Sequence, residues 1–277
     1  MMDPELAAKE RALTGLLRDL APVVVAYSGG VDSTYLAAAA HETLGRDRAL
    51  AATAVSPAVA RRELADARDT ARRFGWSHLE IETHEWAREE YARNASDRCY
   101  WCKTELFEVL RPVAAARSAR IVTGTNADDL GDYRPGLTAA GEHDVTAPLA
   151  EAGLGKADVR ALSAAIGLPS AAKVASPCLA SRFAYGVRVT PEGLARIDRA
   201  EEYVRSLGFR ELRVRDHGDL ARLEVEPSEV QRAASLHAEI VAALTELGFR
   251  YVTLDLAGFR SGSLNEVLAI DKLGRPR

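Results

Sequence analysis

The sequence predicts an α/β protein with a parallel sheet, followed by a smaller α+β region. In the first part, short apolar runs typical of buried strands alternate with longer helical runs. In the last third the pattern changes to two short strands joined by a turn at residues 217–219, with helices on either side. Strands that alternate with helices indicate crossover units and a parallel sheet, whereas paired short strands indicate an antiparallel hairpin.

In the first part, each predicted strand is separated from the next by a predicted helix. The strand-like runs lie at residues 23–27, 48–57, 77–83 and 120–126. The helical runs lie at residues 3–20, 33–45, 61–75, 104–119 and 155–169. In a sheet of this kind, ligands bind beyond the carboxyl ends of the strands, where Ser28, Ser56 and residues 123–126 would lie.

The remaining predicted elements form the second, smaller region. Its strands are expected at residues 211–218, 220–227 and 251–258, and its helices at residues 190–208 and 228–248. The loop-rich stretch before them places a domain boundary between residues 170 and 190. We therefore expect a first domain at residues 1–180 and a second domain at residues 181–277.

Composition limits the classes of function. The formal net charge of −4 argues against a protein whose main partner is a nucleic acid, because phosphate binding requires a basic excess. The sequence has no apolar run long enough to cross a membrane, and its charged N-terminus is unlike a secretion signal, so a cytoplasmic protein is expected. Three cysteines in such a compartment favour metal, redox or nucleophilic chemistry over a structural disulfide.

The stretch SGGVDS, at residues 28–33, lies between the first strand and its helix. Gly29 and Gly30 allow a close backbone approach, and the helix N-terminus offers N–H groups and a positive dipole to a phosphate. Ser28 and Ser33 add hydroxyl groups, and Asp32 adds a carboxylate suited to magnesium. The stretch matches neither the Walker pattern nor the dinucleotide fingerprint.

SGGVDS resembles the pyrophosphate loop of the ATP pyrophosphatase superfamily. This resemblance implies that ATP is cleaved between its α- and β-phosphates, with Mg²⁺, to adenylate a substrate oxygen. The ATP-binding set is expected to comprise Ser28, Gly29, Gly30, Asp32, Ser33, Ser56, Gly124 and Asn126.

Further stretches narrow the resemblance: RCYWCK with Cys99 and Cys102, GTNADDLGDYRPG with Asp128, Asp132 and Arg134, and SPCLASRF with Cys178. Together with VRDHGDL and GFRSGSL, they resemble the LarE family over residues 13–268. This resemblance implies that a pyridinium biscarboxylate mononucleotide is adenylated and converted to a thiocarboxylate in two rounds. It implies that Cys178 carries the sulfur, with Asp32 and Asp128 also at the catalytic site, and that the protein forms homo-oligomers.

The two extra cysteines depart from a pattern in which Cys178 alone is consumed. Some members of this family and related thiolases carry three-cysteine clusters, so we expect Cys99, Cys102 and Cys178 to hold a [4Fe–4S] cluster whose open iron binds sulfide from a sulfur donor. A sacrificed Cys178 is the alternative. A redox C-x-x-C pair, a zinc site with a fourth histidine ligand, and inert buried thiols are further readings of the same cysteines.

Planar guanidinium groups suit the phosphate and carboxylates of a mononucleotide. The substrate-binding set is expected to comprise Ser181, Arg182, Arg213, Arg215, Arg260 and Ser261. The Asp132 and Arg134 side chains could equally form a local ion pair, and Glu201 is expected to face solvent. A tRNA thiolase, an ammonia-using ligase and a nucleotide sensor without chemistry are the competing functions.

Overall fold

The computed structural model describes residues 3–131, 135–174 and 176–260. The chain divides into two compact units, of which the first comprises Met1–Tyr91 and Asp97–Ser176, and the second Ala92–Ser96 and Pro177–Arg277. The expected division into domains at residue 180 stays a prediction. None of the helices in the described ranges is both long enough and apolar enough to span a bilayer.

The first unit contains a parallel sheet with helices on both faces. Its strands are β1 (Val23–Ala26), β2 (Ala49–Val55), β3 (His78–Glu82) and β4 (Arg120–Thr123). Its helices are α1 (Pro4–Leu20), α2 (Val31–Leu44), α3 (Arg61–Arg73), α4 (Glu89–Ala92), α5 (Arg98–Ala116), α6 (Pro135–Glu142), α7 (Pro148–Glu151) and α8 (Lys156–Ala165). The strand order is β3-β2-β1-β4, with every neighbouring pair parallel. This sheet confirms the predicted α/β class.

Strand β1 buries side chains on both faces of the sheet. Val23 and Val25 pack in one core with residues of α1, α2 and α8, whereas Val24 packs in a second core with Phe107 and Leu110 of α5. A strand covered on both faces has no polar positions, which explains the unbroken apolar run in the sequence. The central position of β1 places the loop that follows it in the middle of the carboxyl edge.

Within the described residues, the second unit contains a three-stranded sheet and three α-helices. The strands are β5 (Leu212–Asp216), β6 (Leu220–Val225) and β7 (Tyr251–Leu254), and the helices are α9 (Pro191–Ser206), α10 (Val230–Ser235) and α11 (His237–Glu246). Strands β5 and β6 are antiparallel, and β7 adds to β6 in parallel. The helices cover one apolar face, with Val204, Leu244 and Phe249 in the core.

Two predicted helices differ from the observed ones. Helix α5 begins at Arg98 instead of residue 104, so the C-x-x-C stretch lies in its first turn. The helix expected at residues 228–248 is interrupted at Leu236. There the Ser235 hydroxyl donates to the Arg232 carbonyl, a local bond that competes with continuation of the helix.

Candidate functional site

The loop between β1 and α2 has the geometry of an anion-binding turn. Gly29 has a φ of +74°, a left-handed conformation that favours glycine. The Ser33 hydroxyl accepts from the Ser28 N–H at 3.1 Å and lies 3.0 Å from the Ser28 hydroxyl. These bonds tie the loop to the first turn of α2, whose unsatisfied N–H groups can bind a phosphate.

Close packing requires two glycines at this loop, Gly29 and Gly124. A Cβ atom on Gly29 would lie 3.0 Å from the Ala67 Cβ of α3. A Cβ atom on Gly124 would lie 2.6 Å from the Ser33 N and 2.8 Å from the Ser33 Cα. Because the second contact is with backbone, no side-chain rotation can relieve it. Gly124 therefore lets the loop after β4 rest directly on the start of α2.

This contact brings Asn126 and Asp129 near Asp32. Within the described residues, Asp32 Oδ1 and Asn126 Nδ2 are buried and make no hydrogen bond. Burial raises the pKa of the Asp32 carboxyl, an effect that the nearby Lys156 ammonium opposes and the Asp129 carboxylate reinforces. A divalent cation would compensate this desolvated carboxylate, so the residues fit Mg²⁺, with Asp32 as the ligand.

Asp128 has a structural partner. Its Oδ2 accepts from the Lys156 N–H at 2.7 Å, in the first turn of α8, and its own N–H donates to Asn126 Oδ1 at 3.0 Å. A carboxylate at a helix N-terminus is stabilised by the helix dipole. The predicted catalytic role of Asp128 stays a prediction, and the observed contacts give it a role in joining α8 to the loop after β4.

Ser56 lies directly after β2 and is paired with a buried carboxylate. The Ser56 hydroxyl donates to Glu85 Oε1 at 2.6 Å and accepts from the Ala58 N–H at 3.1 Å. Because that side chain is engaged with Glu85, the predicted contact of Ser56 with ATP would fall to its backbone.

Lys173 is a basic residue at the phosphate loop that the sequence analysis missed. Its Nζ lies 2.6 Å from Glu63 Oε2, 3.2 Å from Asp66 Oδ2 and 3.5 Å from the Gly29 carbonyl oxygen. The Arg160 guanidinium donates to the carbonyl of Lys173 itself at 2.9 Å, which fixes its backbone. A cation is thus held beside the loop where a triphosphate would bind. Its position in an irregular segment gave no sequence signal.

Cys99 and Cys102 lie one helical turn apart in α5, and Cys99 is exposed while Cys102 is partly buried. Cys178 is exposed and belongs to the second unit. Among the described residues, no group of three or more Cys, His, Asp or Glu side chains is arranged to hold a metal ion. The structure therefore gives no support to the predicted [4Fe–4S] cluster.

Cys178 precedes a short 3₁₀ helix, Leu179–Arg182, whose arginine points inward. The Arg182 guanidinium is 1% exposed and donates from Nη1 to the carbonyls of Pro177 and Cys178. The Arg182 Nε and Nη2 atoms donate to the two oxygens of the Glu201 carboxylate, at 2.9 and 3.2 Å. All sides of Arg182 are thus engaged by protein groups, which makes the predicted role in substrate binding difficult to combine with this geometry.

Glu201 is buried, so its expected solvent exposure was wrong. It lies on the apolar stripe of α9 with Ile197 and Val204, a placement that the helical spacing of the sequence could have revealed. Although burial opposes ionisation, Arg182 holds the pKa of the Glu201 carboxyl below its usual value.

The arginines of β5 have different environments. Arg215 donates to both oxygens of Glu224, at 3.0 and 2.8 Å, and to the Ser181 carbonyl at 3.0 Å. Burial lowers the pKa of Arg213 to about 10, and the neighbouring Arg182 contributes to this shift. Arg213 also stacks over the Phe259 ring, 4.9 Å from its centroid. Several buried arginines close together favour an anionic ligand.

Other predicted substrate residues are less defined. Arg260 is exposed at the end of the described chain. Ser261, Asp132 and Arg134 lie outside the described residues. The contacts predicted for the ATP-binding and substrate-binding sets stay predictions.

A parallel sheet that carries SGGVDS between its central strand and a helix defines a PP-loop ATP pyrophosphatase, an ATP-dependent enzyme. A sequence model of the family described as asparagine synthase matches residues 8–115. The chain is 39% identical to the pyridinium-3,5-bisthiocarboxylic acid mononucleotide synthase of Lactiplantibacillus plantarum over 265 residues, which cover 95% of this chain and 96% of that protein. The chain therefore belongs to the LarE family, as the sequence motifs predict.

Two further relatives are uncharacterized proteins. One, from Synechocystis sp., is 45% identical over 267 residues, which cover 95% of this chain and 99% of the relative. The other, from Methanocaldococcus jannaschii, is 29% identical over 240 residues, which cover 86% of this chain and 91% of the relative. The similarity thus extends over both units of the chain.

Proposed function

We propose that this protein adenylates the carboxylates of a pyridinium biscarboxylate mononucleotide and converts them to thiocarboxylates. The observation that carries the proposal is the similarity, over 95% of the chain, to a synthase named for the bisthiocarboxylic acid mononucleotide. The exposed Cys178 thiol supports it, because a sulfur-bearing residue must reach an activated carboxyl carbon.

In the first step, a substrate carboxylate oxygen attacks the α-phosphorus of ATP, and the bond to the β-phosphate bridging oxygen breaks. Pyrophosphate leaves and an acyl adenylate remains. The N–H groups after Gly29 would hold the leaving pyrophosphate, and Lys173 would offset its charge. Asp32 would hold the Mg²⁺ ion, which neutralises phosphate charge when it is bound.

In the second step, the Cys178 thiolate attacks the acyl carbon, and AMP leaves as a thioester forms. A base then removes the Cα proton of Cys178, and the Cβ–Sγ bond breaks. The thiocarboxylate departs with the sulfur, and dehydroalanine remains in the chain. No electrons are gained or lost overall, so this route requires no redox partner.

Recognition of the mononucleotide phosphate would fall to arginines of the second unit. Arg213 is the strongest candidate, because its other polar neighbours are mainly cationic and an anion would relieve their repulsion. We include Arg260 and Ser261 in the same proposal from the sequence motif alone. Arg215 and Ser181 would contact the substrate near Cys178.

The C-x-x-C sequence pattern allows a second version of the reaction. Cys99 and Cys102 lie in one turn of α5, a spacing that can supply two thiolates to a cluster. In that version Cys178 would complete a [4Fe–4S] site and sulfide from a donor would be transferred, which permits repeated turnover. Iron and sulfide analysis after anaerobic purification distinguishes the versions, since the sacrificial route requires neither.

The deciding experiment incubates the full chain with ATP, Mg²⁺ and the biscarboxylate mononucleotide. We expect AMP, pyrophosphate and a thiocarboxylate product, with loss of the elements of H₂S from the Cys178 peptide. Cys178→Ala should still release pyrophosphate while forming no thiocarboxylate. Absence of AMP from the wild-type reaction would refute the proposal, and transfer to tRNA instead would identify a thiolase. Sedimentation of the same sample tests the expected homo-oligomer.

A further inference from the structure

The peptide groups on both sides of the Cys178 Cα atom are held by one buried side chain. Arg182 Nη1 donates to the Pro177 carbonyl, which belongs to the peptide before Cys178, and to the Cys178 carbonyl, at 3.1 Å, which belongs to the peptide after it. Fixing both peptide planes fixes the direction of the Cα–Cβ bond. The thiol keeps only rotation about χ1.

The Cys178 carbonyl is held by more than Arg182. It also accepts from the Ser181 N–H at 2.9 Å and from the Ser181 hydroxyl at 2.7 Å. The Ser181 carbonyl, at the other end of the turn, accepts from Arg215 Nη1 at 3.0 Å. The carbonyls of Cys178 and Ser181 are therefore held by bonds within the second unit, while Cys178 itself is exposed.

Each of these arginines is fixed by a buried glutamate. Glu201 accepts from Arg182 Nε and Nη2 and from the Val214 N–H of β5 at 3.3 Å. Glu224 accepts from Arg215 at both oxygens and is fully buried. Two-pronged arginine–carboxylate pairs have a defined geometry, and breaking a buried pair leaves an uncompensated charge. The guanidinium that holds the cysteine turn thus cannot rotate freely.

From these contacts we infer that Arg182 and Glu201 are positioning residues that aim the Cys178 thiol for sulfur transfer, a role that rests on the proposed function. They would act on the sulfur step alone. Adenylation takes place at the β1–α2 loop of the first unit and uses neither residue. A misaimed thiol would therefore separate ATP cleavage from carbon–sulfur bond formation.

The test uses Glu201→Gln and Arg182→Lys, each assayed in one sample for pyrophosphate and for thiocarboxylate during a single turnover. We expect pyrophosphate release at the wild-type rate, and thiocarboxylate formation and H₂S loss from Cys178 that fall about 100-fold, the size of effect caused by a 1 Å misplacement. Arg205→Gln is the matched control, because Arg205 donates to Glu201 Oε2 at 3.1 Å and, within the part of the chain that the structure describes, makes no hydrogen bond to the cysteine turn. It should keep both rates.

The outcomes separate the two proposals. If wild-type protein forms neither product, the proposed function fails. If wild type is active and both variants keep its ratio of thiocarboxylate to pyrophosphate, or lose both products in parallel, the positioning role is wrong. Should the variants not fold, hydrogen exchange of the wild-type chain decides: the Ser181 N–H should exchange far more slowly than an unstructured amide, and unprotected exchange would overturn the inference.

Discussion

Replacing Gly124 by alanine should impair ATP cleavage by displacing two backbone segments. An ordinary carbon contact lies at about 3.5–4.0 Å, whereas the added Cβ would lie 2.6 Å from the Ser33 N. The loop after β4 and the start of α2 must therefore separate by roughly 1 Å, a displacement that can cost about 100-fold in rate. Overpacking of this kind also costs about 1–3 kcal/mol in the free energy of unfolding.

The assay measures AMP release against ATP concentration, together with urea unfolding. Gly15→Ala is the control, because its Cβ would meet no atom within 4 Å and its position lies inside α1. That control should keep full activity and gain about 0.5–1 kcal/mol in stability. Wild-type ATP kinetics and unfolding for Gly124→Ala would show that the two segments are not held in contact.

Three further changes test other parts of the fold. Asp32→Asn should slow AMP release by about 100-fold or more yet raise the melting temperature of the ligand-free protein. The pKa of the Asp32 carboxyl is raised in the folded state, so the contribution of Asp32 to stability falls as pH rises through that pKa. The Asp32→Asn variant should lack this decrease. A lower melting temperature of the variant at neutral pH would contradict a buried, destabilising carboxylate at this position. Lys173→Gln should weaken ATP use by about tenfold, the value of one charge-assisted hydrogen bond. Lys9→Gln, which removes an ion pair between α1 and α8, should not, and equal effects of the two changes would argue against a role of Lys173 at the loop. Asn94→Ala should lower the free energy of unfolding in urea by about 2–3 kcal/mol, because the Asn94 amide donates to the carbonyls of Ala184 and Val187 at 2.8 and 3.0 Å. An unchanged unfolding midpoint would mean that water replaces the lost amide group.

The sequence predicts the phosphate loop well because its determinants are local. Gly29, Gly30 and Asp32 lie within a single turn between a strand and a helix, and their chemistry follows from residue type and order. Strand β1 is also predictable from sequence, because its unbroken apolar run indicates burial on both faces of the sheet. Local patterns of this kind specify where ATP is expected before any coordinate is known.

The roles of the charged side chains depend on distant partners and could not be predicted. Asp128 accepts from Lys156, and Arg182 pairs with Glu201 across 19 positions of sequence. A guanidinium that binds a carboxylate of its own chain has the same sequence signature as one that awaits a substrate. The sequence therefore could not show that the Arg182 guanidinium is bonded to Glu201 and to the carbonyls of Pro177 and Cys178.

The segment Ala92–Ser96 belongs by its contacts to the second unit, although it lies between elements of the first. The Ala92 carbonyl accepts from the Val189 N–H at 2.8 Å, beside the two bonds of the Asn94 amide. If the chain were divided near residue 180, the segment Ala92–Ser96 would stay on the N-terminal fragment and be missing from the second unit to which it belongs. The chain enters its second unit twice, at Ala92 and again at Pro177, so neither unit is one continuous segment that could be expressed by itself.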